Sequence, residues 1–116
     1  MGGASKPGIK PSKDVEEIAM QDLKVVVKEI RGVCDTLTVG DYFIVRGGRL
    51  SIPEGHFCYW ALQSILPLLP AKQRNIVEPG DWIPRTWEVE CPDPNGQVIL
   101  RMIPIDPEGQ PLAKKE

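Results

Sequence analysis

In the middle of the 116-residue chain only one stretch carries a convincing helical repeat, and two prolines close it off. Within residues 57–66, Phe57, Trp60, Ala61 and Ile65 fall on one face, and Cys58, Leu62 and Leu66 widen it. That apolar arc is broader than the stripe of a surface helix, so the pattern predicts a helix that is mostly buried. Pro67 has no amide proton and clashes with the preceding turn, and Pro70 follows soon after. A kink or stop near Leu66 is therefore expected. With one central helix, the rest of the core must come from strands.

The strand signals lie on both sides of that helix. Residues 23–30, Leu-Lys-Val-Val-Val-Lys-Glu-Ile, are β-branched and partly alternating, the pattern of a strand with one buried face. Val39-Gly40-Asp41 is a turn signal that launches a second strand at 42–45. Gly47-Gly48 allows a tight reversal, so 49–52 reads as a brief return strand ended by Pro53 and Gly55. Residues 71–85 are polar and turn-rich, with Trp82 expected to anchor this loop to the core. Residues 86–91 alternate, Pro92-Asp93-Pro94-Asn95-Gly96 makes a reversal, and 97–103 completes a hairpin.

These elements predict an α+β fold, with a small antiparallel sheet of two β-pairs packed on one central buried helix. The expected domain is 23–105. It is flanked by a flexible N-terminal tail, 1–22, with a possible short helix, and a flexible C-terminal tail, 106–116, both rich in Pro, Gly and mixed charge. Strand and helix do not alternate often enough for a doubly wound sheet. No glycine fingerprint or Walker pattern is present, so no nucleotide is expected.

Charge and composition narrow the partners. Lys and Arg total 14 against 16 Asp and Glu, a net charge of -2, without the basic excess of a nucleic-acid clamp. No window approaches the roughly 18 apolar residues of a membrane span. The N-terminus has no apolar core of an export signal, which places the chain in the cytoplasm as an expectation. Three cysteines, an odd number, fit a reducing compartment better than a secreted disulfide framework.

The cysteines and the single histidine are the residues that could carry chemistry, in the order Cys34, His56, Cys58, Cys91. Three thiols and an imidazole suit zinc by ligand type, and thiols also anchor iron–sulfur clusters. There is no Cys-x-x-Cys knuckle, but each of the four sits at an element boundary, and such ends can converge. Two other readings stand beside this one. Free cysteines are among the most often buried residues and act as small hydrophobes. Cys58 in a first helical turn, with His56 close in sequence, could be a reactive thiol. Glu88, Glu90 and Asp93 lie near Cys91, but alternation places Glu88 and Glu90 together on the wet face of their strand. Trp60, Trp82 and Trp87 read as core aromatics or as the wall of a ligand pocket.

Several motifs carry a resemblance: Pro53-x-Gly55-x-x-Cys58-x-Trp60-Ala61, Leu66-Pro67, and Cys91-Pro92-Asp93-Pro94 followed by Val98-Ile99-Leu100. Over residues 24–104 the chain resembles a family of small uncharacterised bacterial and archaeal proteins. That family has a cysteine ahead of a Val-Gly-Asp turn, a Gly-x-Cys-x-x-Ala helix start and a closing Cys-Pro-Asp-Pro hairpin. The resemblance implies that Cys34, Cys58 and Cys91 are the family's cysteines and that Gly40, Asp41 and Ala61 belong to its scaffold. It implies no activity. His56 departs from the pattern, as do Thr36 to Thr38, where the family often has Gly-His. A fourth ligand would then come from His56, Asp35, Asp93, water or a partner protein.

Three functions follow as expectations. The first is a small metal-binding module in which Cys34, Cys58 and Cys91, with His56, hold zinc or an iron–sulfur cluster. The second is a non-catalytic accessory subunit of a larger enzyme complex, with a protein partner or a homo-oligomer. The third is a thiol redox protein using Cys58. The first two are compatible, and no complete catalytic machine is spelled out for an enzyme acting alone.

Overall fold

The computed structural model describes residues 20–74 and 78–112. All but the end of the expected N-terminal tail, its short helix included, and residues 113–116 of the C-terminal one lie outside the described residues. Five strands, β1 (Asp22–Ile30), β2 (Tyr42–Arg46), β3 (Arg49–Ser51), β4 (Glu88–Glu90) and β5 (Val98–Ile105), form one antiparallel sheet in the order β3-β2-β1-β5-β4. This corrects the expectation of two β-pairs: both hairpins belong to a single larger sheet because β1 joins them. The joining ladder pairs the two ends of the domain, from Asp22 opposite Ile105 to Ile30 opposite Val98, and no local turn announces such a contact.

Alternation in β1 sets the core. Leu23, Val25 and Val27 are buried; Val25 faces Phe43 across β2 and Met102 across β5, and Val27 faces Leu100. After Val27 the register shifts so that Glu29 pairs with Ile99. The extra residue, Lys28, is a bulge that brings Ile30 back to the core side opposite Val98. Without it, every side chain beyond would change faces.

Helix α1 (Tyr59–Ile65) lies against β4 and β5 and buries Ala61 and Ile65, with Leu69 continuing the stripe. Phe57, just ahead of it, meets Phe43 edge-on with ring centroids 5.0 Å apart. The helix is less buried than its sequence predicts: Tyr59 and Trp60 are 70% and 51% exposed, and Leu66 is exposed as well. Its inner side meets the sheet, and among the described residues no second layer covers its outer side, so half of the broad apolar arc faces water. Pro67 ends α1 by tightening the chain into a 3-10 turn, Leu66–Leu68, rather than stopping it. A second helix, α2 (Leu69–Arg74), follows with Pro70 in its first turn, where a missing amide proton costs no hydrogen bond. Helix α2 thus occupies the start of the segment whose polarity reads as loop.

The polar residues of α2 explain that mismatch, because they are used inward. Gln73 Nε2 donates to the Gly47 carbonyl at 2.8 Å, and the Gln73 carbonyl accepts from the Gln21 amide at 2.8 Å. Gln21 Nε2 donates to the Lys72 carbonyl at 2.9 Å. Lys72 is only 3% exposed; its Nζ donates to the Ile83 carbonyl at 2.9 Å and sits 3.2 Å from the centroid of the Trp87 ring. Trp87 therefore fastens the 78–87 segment, while Trp82, the expected anchor, is 54% exposed.

Candidate functional site

Beyond Ile30 the chain keeps pairing with the β4–β5 turn. Arg31, Gly32 and Val33 donate their amides to the carbonyls of Gln97, Gly96 and Asn95 at 3.2, 2.9 and 2.9 Å. A Cβ at Gly32 would run into the Asn95 carbonyl, so only glycine permits this approach. The contact delivers Cys34 beside Gly96, where a built Cβ would lie 3.6 Å from the Cys34 Cβ.

Cys91 leaves β4 with its amide donating to Val98 at 2.9 Å, and the reversal that follows is held by Asp93. Asp93 Oδ1 accepts the Asn95 amide at 3.0 Å, and the Asp93 carbonyl accepts from Gly96 and Gln97 at 3.3 and 3.2 Å. Gln97 closes the turn with φ 50, a left-handed conformation unusual for a residue with a side chain. Cys58 is the N-cap of α1: its backbone is extended and its carbonyl accepts the Leu62 amide at 2.9 Å, but its side chain does not cap. Because α1 rests on β4 and β5, this arrangement puts Cys58 at the same end of the sheet as Cys34 and Cys91.

The structure thus brings together three thiols from distant parts of the sequence, all free and all packed against one core cluster. Cys91 is buried, and Cys34 and Cys58 are half-buried. Cys34 Sγ accepts a backbone hydrogen bond from the Leu37 amide at 3.4 Å. Burial pushes the Cys91 thiol up, against the lowering effect of the Asp93 amide; charge on Cys58, Asp93 and Cys34 pushes it further up. Both other sulfurs are therefore within electrostatic reach of Cys91. The arrangement favours protonated, weakly nucleophilic sulfur at that position.

His56, two residues ahead of Cys58, is exposed. Among the described residues, no three His, Cys, Asp or Glu side chains stand at spacings that hold a metal ion. The thiols share one end of the sheet without forming a preassembled coordination set. Glu88 and Glu90 are exposed, and Lys28 and Arg101, at 2.7 and 3.2 Å, hold the Glu88 carboxyl below its usual range. A shallow cleft of about 400 Å³ between Arg85, Thr86, Trp87, Glu88 and Arg101 includes none of the cysteines.

Sequence reasoning missed two contributors. Gly32 decides where Cys34 goes, and its only signal is a lone glycine at the end of a strand pattern. The Lys72–Trp87 contact left no signal, since a lysine in a polar segment reads as exposed. No helix of the described residues is long and apolar enough to cross a membrane. Comparison with protein-family models, with curated proteins and with solved structures finds no match to this chain.

Proposed function

We propose that the chain is a small non-catalytic accessory module whose Cys34, Cys58 and Cys91 take up a thiophilic metal ion and whose exposed helix face docks on a larger partner. The observation that supports the metal reading is that thiols from just beyond β1, the start of α1 and the end of β4, far apart in sequence, all pack against one core cluster. The Leu37 amide aimed at the Cys34 sulfur favours its thiolate form, as hydrogen bonds to a charged acceptor do. Among the described residues the sulfurs are not at ligand spacing, so metal uptake requires them to draw closer. Cys58, the N-cap of α1, has no side-chain capping bond to break. Zinc and iron–sulfur clusters both accept such a set, with His56 or a partner's residue as a fourth ligand.

The accessory role is supported by Tyr59 and Trp60, which stand exposed side by side with ring centroids 6.1 Å apart. Exposed aromatics of this kind are typical anchors of protein interfaces. The reading as a thiol redox protein using Cys58 gains no such support: the Cys58 side chain makes no capping bond at the helix start, and His56 is exposed. Elemental analysis of untagged protein purified anaerobically without chelators, beside Cys91→Ser, tests the metal reading. The expected result is stoichiometric metal in the parent and its loss in the variant. Metal-free protein that also fails to bind added zinc would overturn it.

A further inference from the structure

We propose that the cleft between Arg85, Thr86, Trp87, Glu88 and Arg101 binds the phosphate group of a small phosphomonoester, gripped by the two guanidinium groups beside the Trp87 ring. The cysteines lie outside its wall, so the inference is independent of the thiol reading.

Charge favours a dianion there. The one carboxylate of the cleft, Glu88, is shared by two cations: Lys28 Nζ at 2.7 Å and Arg101 Nη1 at 3.2 Å meet the same oxygen, Oε2. Arg85 is exposed and makes no ion pair among the described residues. Three cations thus face one carboxylate, which leaves two positive charges on a chain whose net charge is -2. A carboxylate ligand would cancel one of them, whereas a phosphomonoester, nearly doubly charged at neutral pH, cancels both.

The donors suit the same group. Arg101 spends Nη1 on Glu88, and a guanidinium has further N–H bonds in a planar fork that matches phosphate oxygens. The walls are also fixed before a ligand arrives, which lowers the cost of binding. Arg101 is held in β5 opposite Glu88. Thr86 is tied down twice, its hydroxyl donating to the Trp82 carbonyl at 2.9 Å and its amide to the Ile83 carbonyl at 3.0 Å. Lys72 clamps the same segment through the Ile83 carbonyl and the Trp87 ring. At about 400 Å³ the cleft exceeds a bare phosphate and falls in the range of small-ligand sites, so the organic part of an ester has room along Trp87.

The test is calorimetric titration of the full chain, stripped of metal with a chelator and desalted, with phenyl phosphate, inorganic phosphate and benzoate. Phenyl phosphate should bind saturably at one site, more tightly than inorganic phosphate, and benzoate should bind most weakly. Arg85→Gln should weaken phenyl phosphate about tenfold, as loss of a charged contact does. Its circular dichroism and urea midpoint should match the parent, because Arg85 has no ion pair to lose among the described residues. Arg49→Gln, which removes an exposed arginine from β3, should leave the affinity unchanged. Inorganic phosphate binding more tightly than its ester would assign the cleft to the free ion and overturn the ester. Benzoate matching phenyl phosphate, equal losses in the two arginine variants, or no saturable binding would overturn the site.

Discussion

The two ends of this sheet treat their polar atoms differently. At the α2 end each buried polar side chain is used: Gln73 reaches Gly47, and Lys72 reaches both Ile83 and the Trp87 ring. At the thiol end the hydrogen bonding of the sulfurs is weak and partial, with a single amide, that of Leu37, donating to Cys34 Sγ among the described residues. One end has its bonding capacity spent on holding the fold, and the other keeps capacity in reserve. Reserve of that kind, concentrated at one corner, is what separates a candidate site from a well-packed core.

The largest break in this comparison comes from Gly32→Ala. Its Cβ would force apart the pairing of Gly32 with Gly96 and so move Cys34 away from the other thiols. A loss of about 3 kcal/mol is expected from urea unfolding, together with loss of metal uptake.

A second test separates the ends by pH. Burial lowers Lys72 to about 8 in the fold, whereas an unfolded lysine titrates near about 10.4. Between those values the unfolded chain binds more protons, so the Lys72 contribution makes stability rise with pH. Lys72→Met should abolish a rise of roughly 2 kcal/mol across that window, measured as urea midpoints at about pH 7.5 and about pH 10. Cys91 acts in the opposite sense, since a raised thiol loses its stabilising share as pH climbs past it, but it is common to both proteins.

Gln73→Ala sharpens the contrast further. It leaves the Gly47 carbonyl without its donor and should cost about 1 to 2 kcal/mol by thermal unfolding, with metal uptake unchanged. The smallest effect on stability belongs to Cys58→Ser, which is expected to gain up to about 1 kcal/mol through N-capping while losing the ion. Equal destabilisation by both substitutions would erase the distinction between the ends.

The sequence was most readable where structure is local. Alternation in β1, the Gly47-Gly48 reversal and the Asp93 turn are all carried by neighbouring residues, and each is present in the fold. The pairing of β1 with β5 was not readable, because nothing near Val25 specifies Met102. Helix burial was overread for a related reason: the broad arc of residues 57–66 states apolarity, not whether a second layer exists to cover Trp60. At the site, the boundary positions of Cys34, Cys58 and Cys91 were visible. Their placement at one end of the sheet depended on Gly32 and on the seating of α1, and His56, chosen by residue type, is exposed.

The most direct test of the central claim, that three separated thiols act as one ligand set, is an optical titration with cobalt(II) under reducing conditions. The thiolate-to-cobalt charge-transfer band scales with the number of sulfurs bound. The account predicts a band of three-sulfur intensity in the parent protein and a stepwise fall in each of Cys34→Ser, Cys58→Ser and Cys91→Ser. No charge-transfer band, or a band that any one of these variants retains in full, would contradict it.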